Sequence, residues 1–500
     1  MRYQSTRDNS ISLTASEAIL KGLSDDGGLF VPESIPSFSK SFSELAELDY
    51  RELAYEVMKP YLDDFTKEEL KSCIRKAYGD NFDVPETAPI SYADGRYYLE
   101  LYHGPTIAFK DMALQILPHL LTTAAKKHDI KEEIVILTAT SGDTGKAAMA
   151  GFADVPGTRI MVFFPHGGVS DVQRLQMVTQ RGCNVSAVSV DGNFDDCQTG
   201  VKKLFNDESF RQELLNKGFR FSSANSINIG RLVPQIVYYV YAYCTLLREG
   251  RIKEGERINI CVPTGNFGNI LAAYLAMHMG LPVDRLICAS NMNNVLTDFF
   301  EKGTYDRNRP FHLTMSPSMD ILISSNLERL IYFICGRDAT KTKNYMDQLT
   351  SEGKYSLTDD MKKGLSCFEA GYASEEATLA EIKRIYDDTG YVIDTHTAVA
   401  SAVCRDLASR GKFDEETPVV IASTASPYKF SRSIVNAISG DAKNSSRTDL
   451  EMIDELDKIL GTEDILGEPK AIQDIRTADI LHDKHIKIDE MKQTVADFLK

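Results

Sequence analysis

The stretch INICVPTGNFGN, residues 258–269, runs directly into ILAAYLAMHM, residues 270–279. Ile258–Val262 is a short, uncharged and mainly apolar run of the length expected for a strand buried on both faces. Residues 264–269 then supply two glycines and two asparagines, and an uncharged helical stretch follows. Strand, glycine loop and helix in this order make one unit of a doubly wound α/β sheet. Gly265 and Gly268 let the backbone approach an anion, and the free N–H groups at the helix start point toward it. A left-handed backbone is expected at Gly268. The segment reads equally as a tight turn with no ligand, and it lacks the GxGxxG spacing of a dinucleotide site.

Outward from this unit the same pattern repeats. Short β-rich runs at Ile134–Leu137, Arg159–Phe164, Val185–Val190, Leu286–Ala289 and Val419–Ala422 each precede a loop and a helix-period segment. Such alternation predicts parallel sheets covered by helices on both faces, with ligands at the carboxyl ends of the strands. At roughly 150 residues per domain, 500 residues suggest about three domains. Four segments are expected: a mainly helical region over 1–90, an α/β domain over 91–235, a second over 236–440, and a charged helical tail over 441–500. The tail is read as packed, with a disordered or interaction tail as the alternative.

Composition removes several function classes. Hydrophobic residues at 43% and charged residues at 26% suit a soluble globular chain. Its net charge of −16 argues against wrapping nucleic acid or docking on an anionic membrane. An anionic substrate must then be held by a local cluster, against the field of the whole chain. The polar start Met1–Ser10 has no apolar core of a signal peptide. The run 258–283 is broken by Pro263 and two glycines, so it is no membrane span. Nine cysteines without a CxxC pair, three of them (Cys244, Cys261, Cys288) in apolar runs, suit a reduced cytoplasmic protein. His482 and His485 form an isolated HxxH, and no metal site is expected.

Two further loops carry chemistry. TATSGDTGKAA, residues 138–148, follows the strand at 134–137. Thr140 and Ala147 stand where a P-loop needs glycine and a magnesium-binding hydroxyl. What remains is a turn whose hydroxyls and amides suit a carboxylate, or simply a Ser-rich helix cap. YHGPTIAFKD, residues 102–111, places Lys110 among Ile107, Ala108, Phe109 and Met112. A desolvated lysine loses charge and becomes an amine nucleophile suited to a Schiff base. A snorkelling surface lysine is the competing reading. A desolvated lysine, a phosphate cradle and a hydroxyl-rich anion loop on one scaffold are the parts needed to hold pyridoxal 5'-phosphate (PLP).

HGPTIAFKD, SGDTG, ANSINIGR, PTGNFGN, DTHTAVA and STASPYKF, with YQSTR and SDDGGLFVP near the start, also occur in the order found in threonine synthases. The chain resembles the longer bacterial and fungal type of that family over nearly its whole length. The resemblance implies PLP fold type II, similar to the tryptophan synthase β subunit, with PLP between two doubly wound α/β domains. It implies a carbon–oxygen lyase that converts O-phospho-L-homoserine and water into L-threonine and phosphate, the last step of threonine biosynthesis. It implies Lys110 as the Schiff-base lysine and Gly265, Asn266, Phe267, Gly268 and Asn269 as the cofactor-phosphate cradle. Thr424 would bond the pyridine nitrogen. Ser141, Gly142, Asp143 and Thr144 would face the substrate carboxylate, and Asn225, Ser226, Asn228 and Arg231 would hold the substrate phosphate. Asp143 stands where many relatives of the fold carry Asn, so backbone amides and hydroxyls are expected to make that carboxylate contact. Ser426 and Tyr428 depart from a His-Pro-Ala-Lys pattern and receive no role. His396 is either an acid/base group or a helix-start histidine satisfied by its neighbours. A monomer or homodimer is expected. The alternatives are a phospholyase-like paralogue that eliminates phosphate without adding water, and a silent binding protein of the same fold.

Overall fold

Four capping boxes organise the start of the chain. Thr14, Ser41, Asp49 and Thr66 each accept the backbone N–H of a glutamate three residues on, whose carboxylate returns to the cap's own N–H. They begin the helices Ala15–Lys21, Phe42–Ala46, Tyr50–Met58 and Lys67–Ala77. An antiparallel pair, Tyr3–Ser5 with Phe30–Pro32, completes this mainly helical region. The computed structural model describes residues 1–140, 142–440, 446–461 and 468–500.

Two sheets form the body. The larger runs in the order Phe368–Tyr372, Val283–Ser290, Ile258–Pro263, Val419–Ser423, Arg96–Glu100 and Ile90–Ala93, parallel except for the last pair. The smaller runs His485–Ile486, Val185–Val190, Thr158–Pro165, Glu133–Ala139 and Phe219–Ser222, all parallel. Every residue of Ile258–Pro263 is buried, as a central strand covered on both faces requires. The helix Ile229–Arg248 is buried along nearly its full length and packs against the helix Gly268–Met279.

The sheets cut across the segments expected from sequence. Arg96–Glu100 falls inside the segment expected at 91–235, yet it pairs with Val419–Ser423 of the larger sheet, and Ile90–Ala93 at that segment's edge joins the same sheet by pairing with Arg96–Glu100. A strand's partner is fixed by long-range hydrogen bonding, which local pattern does not encode. The tail likewise joins both bodies. Met452, Ile453, Ile472 and Ile475 enter the apolar cluster of Ile382, Ile434 and Val435. His485–Ile486 extends the smaller sheet, and Met491, Val495 and Leu499 cover Val188 and Leu204.

The positional consequence is simple. Loops 101–110, 264–267 and 424–426 leave the carboxyl ends of strands in the larger sheet, and Thr140, Gly142 and the loop 223–228 lie at those of the smaller. They meet in one cleft, where open α/β sheets bind ligands.

Candidate active site

Lys110 sits at the end of a folded-over turn. Phe109 N–H donates to the Thr424 carbonyl at 2.8 Å and Ser426 N–H to the Ile107 carbonyl at 3.0 Å, clipping the segment onto the loop after Val419–Ser423. The buried Asp111 carboxylate accepts Thr106 N–H at 2.8 Å and Thr106 Oγ1 at 2.7 Å. A Cβ on Gly104 would lie 2.6 Å from that carboxylate, so only glycine fits there. His103 bridges Asp83 and Glu100 at 2.7 and 2.9 Å. Burial opposes its charge, but these partners outweigh burial and push it up to about 9. The HGPT…KD stretch is thus a self-bonded turn that presents one lysine.

Lys110 Nζ donates to Ser318 Oγ at 3.0 Å and lies 3.7 Å from Asp143 Oδ2. Burial, opposed by Asp143 but reinforced by Lys429 and Arg231, brings Lys110 down to about 8. Near pH 7 it stays mostly charged, with about a tenth of the amine neutral, far more than for an ordinary lysine.

Asp143 faces partners of its own chain. It heads the helix Asp143–Phe152, but both carboxylate oxygens are occupied from within the protein. Oδ1 accepts Gln173 Nε2 at 2.9 Å and lies 3.2 Å from Lys429 Nζ, and Oδ2 accepts Ser318 Oγ at 2.9 Å. Burial disfavours its charge, yet Lys429, Lys110 and His396 hold Asp143 well below the usual carboxylate range. A buried carboxylate must be compensated, and compensation turns it toward lysines rather than toward a substrate anion. Gly142 adopts φ 139°, and a Cβ there would lie 2.4 Å from the Gln173 side chain. Its N–H is taken by Thr140 Oγ1 at 3.0 Å. Thr144 lies in the first helical turn, half-buried, and Ser141 lies outside the described residues.

The glycine loop is braced from behind. Ser324 Oγ donates to the Gly265 carbonyl at 2.7 Å, and Asn326 donates to the Asn266 carbonyl through its N–H and Nδ2, each at 3.0 Å. The left-handed residue is Phe267, φ 64°, and not Gly268, whose hypothetical Cβ meets nothing closer than 3.5 Å. Burial of the Phe267 ring against Phe300 and Phe368 holds that conformation. Phe267 offers no side-chain cap, so the first amides of Gly268–Met279 face the loop. Tyr238 and Tyr239 both donate to Asn269 Oδ1, at 2.6 and 2.5 Å, leaving buried Asn269 Nδ2 without a partner among the described residues. Thr424, also buried, follows the neighbouring strand.

Along residues 225–231 the candidates separate. Asn228 is an N-cap whose Oδ1 accepts Gly230 N–H at 2.9 Å, while Nδ2 donates to the carbonyls of Ile19 and Ser223. These bonds fill its polar atoms, which corrects its expected contact with a substrate phosphate. Asn225 is exposed and Ser226 half-buried. Arg231 is 4% exposed and donates through Nη1 to the Ala224 carbonyl at 3.0 Å. Its Nε is buried without a partner, and no ion pair to it occurs among the described residues. Burial lowers Arg231 to about 10, so it remains a cation at neutral pH.

Comparison with known proteins identifies the assembly. Three family models match: "Threonine synthase N terminus" over residues 2–78, "Pyridoxal-phosphate dependent enzyme" over 94–425, and "Threonine synthase, C-terminal" over 397–478. Threonine synthase of Pseudomonas aeruginosa is 39% identical over 446 residues, covering 88% of this chain and 91% of that protein. The chain belongs to the threonine synthase family. Threonine synthase-like 1 of Homo sapiens is 42% identical over 438 residues, 85% of this chain, and the match spans only 58% of that protein's length. The crystal structure of PLP-bound threonine synthase from Brucella melitensis superposes with a TM-score of 0.87 at 33% identity, each chain fully covered. The fold is accordingly that of PLP fold type II, and PLP is the family's cofactor.

The residues present fit that cofactor. An uncapped helix start, the Asn269 Nδ2 left without a partner among the described residues and a buried lysine of lowered basicity are what a phosphate and an aldehyde would need. Sequence reading of this threonine synthase relative missed Ser318, Lys429 and Arg329. Ser318 N–H donates to His396 Nε2 at 3.2 Å, and His396 Nδ1 faces Asp394 Oδ1 at 3.0 Å. His396 thus stands at the start of its helix with both nitrogens engaged. Arg329, fully buried, ties Asn326 Oδ1 behind the cradle to the Ile227 carbonyl beside Arg231. Lys429, in STASPYKF, had a signal: it is the cation of an otherwise apolar and hydroxyl-rich stretch.

Proposed function

We propose that this chain converts O-phospho-L-homoserine and water into L-threonine and phosphate. The observation that supports the reading is Arg231, a buried guanidinium with an unused Nε and no carboxylate partner among the described residues, close enough to Lys110 to repel its charge. A buried cation without a counter-charge is costly unless an anion arrives. A guanidinium suits phosphate because its donors match two oxygens at once.

PLP would be held by Lys110, by the amides of 265–269 with Asn269 Nδ2, and at the ring nitrogen by Thr424. When bound it supplies an electron sink for carbanions at the substrate's α and β carbons. Lys110 Nζ, neutral in part and steered by Ser318, takes the proton from Cα and returns one later. Arg231 stabilises charge on the phosphate as its C–O bond breaks. The N–H groups at 143–144 and the hydroxyl of Thr144 orient the substrate carboxylate.

The test is product analysis with O-phosphohomoserine. Threonine and phosphate in equal amounts are expected. Release of 2-oxobutyrate and ammonia would instead establish elimination without water addition. A coloured protein with no turnover would establish a binding role.

A further inference from the structure

Four charged or titratable groups face the Lys110 amine, each from a different element. Asp143 comes from Asp143–Phe152 and Arg231 from Ile229–Arg248. His396, reached through Ser318, comes from Thr395–Ser409, and Lys429 comes from the turn Pro427–Phe430. Asp143 is the only anion of the four. Its Oδ2 lies within ion-pair range of Lys110, and such a pair would keep the lysine charged and poorly nucleophilic.

Lys429 prevents that outcome by geometry. Its side chain is fully buried, its Nζ donates to the Thr106 carbonyl at 2.8 Å, and the same Nζ stands 3.2 Å from Asp143 Oδ1. Thr106 belongs to the turn that presents Lys110, and Asp143 belongs to the other sheet's first helix. Lys429 therefore spans the cleft directly behind Lys110. The closer partner of Asp143 is Lys429, while Lys110 keeps the shorter bond to Ser318.

We propose that Lys429 is a positioning residue that acts through Asp143: by satisfying this carboxylate, it leaves Lys110 free to serve as a neutral amine. The cationic neighbour also adds direct repulsion to any proton held on Lys110. The lowering of Lys110 to about 8, with Lys429 among its causes after burial, agrees in direction. The proposal rests on the reading of Lys110 as the cofactor lysine.

The experiment uses the full chain, freed of cofactor and then mixed with pyridoxal phosphate and cyanoborohydride across a pH series. The Lys110 nitrogen adds to the aldehyde carbon, water leaves, and hydride from the reagent fixes the new C–N bond. Peptide mapping identifies the lysine, and the pH midpoint of the trapping rate reports its protonation. Lys429→Met is expected to raise the midpoint by about one unit or more, the scale of one nearby charge. Asp143→Asn, which removes the anion and keeps Lys429, is expected to lower it. The double variant is expected to return near wild type, and Lys429→Arg to stay there. If Lys429→Met does not fold, the downward shift in Asp143→Asn carries the test. Unmoved midpoints in both single variants, with Lys110 still the trapped residue, would overturn the proposal alone. Trapping on another lysine in the wild-type chain would overturn the reading of Lys110 itself.

Discussion

Two loops of this cleft each lead into a long buried helix, and each is read as an anion site, yet they are built oppositely. Before Gly268–Met279 the cap position is Phe267, which leaves the first amides without a side-chain partner. Before Ile229–Arg248 the cap is Asn228, whose Oδ1 closes the helix start on Gly230 N–H. The first region keeps the helix terminus for the anion and adds no cation. The second seals its terminus and places one guanidinium, Arg231, in the cleft. Neutral, pre-braced donors suit a guest that stays. A single strong cation suits a group that arrives charged and leaves with more charge. A helix start thus serves an anion only where its cap is left open.

Lys110→Ala separates the covalent tether from both sites. Turnover is expected to vanish, while pyridoxal phosphate remains bound through the open helix start, as absorbance of the free aldehyde would report. Arg231→Ala is expected to keep its full cofactor content and lose on the order of 10²-fold in kcat/KM for O-phosphohomoserine, the scale of one preorganised charge-stabilising donor. Unphosphorylated amino acids should be affected far less, which steady-state kinetics on both would check. Gly268→Val meets no backbone strain, since its φ is ordinary, but its branched side chain would crowd Asn326 and Gln235 at the cradle. Cofactor retention after dialysis should fall about tenfold or more, as expected when charge-assisted bonds to a phosphate are lost. Asn228→Ala should act on stability and not on either phosphate. Loss of a cap alone costs about 1 kcal/mol, read as a lowered denaturation midpoint at unchanged KM.

Much of this contrast was legible before folding. Ile258–Val262 and Val185–Val190 read as strands because short uncharged runs rich in Val and Ile fit a covered parallel sheet. Lys110 read as special because its neighbours are apolar. That Asn228 has no donor left for a phosphate was not legible, because one of the two carbonyls its Nδ2 serves, that of Ile19, lies 209 residues away. The same residue types bind phosphate in one setting and cap a helix in another. The partners of Asp143 were not legible for a related reason: Lys429 lies 286 positions away and Ser318 175. The left-handed residue was misplaced by one position because aromatic packing stabilises Phe267 where glycine was expected.

The most direct test of the two-site cleft is calorimetric titration of inorganic phosphate into the cofactor-loaded protein and its Arg231→Ala variant. One phosphate per wild-type chain is expected, with binding at least about tenfold weaker in the variant, the scale of one hydrogen bond to a charged group, and with equal cofactor content in both. Equal phosphate affinity in the two proteins, or loss of pyridoxal phosphate together with Arg231, would contradict the division of the cleft into a permanent and a transient anion site.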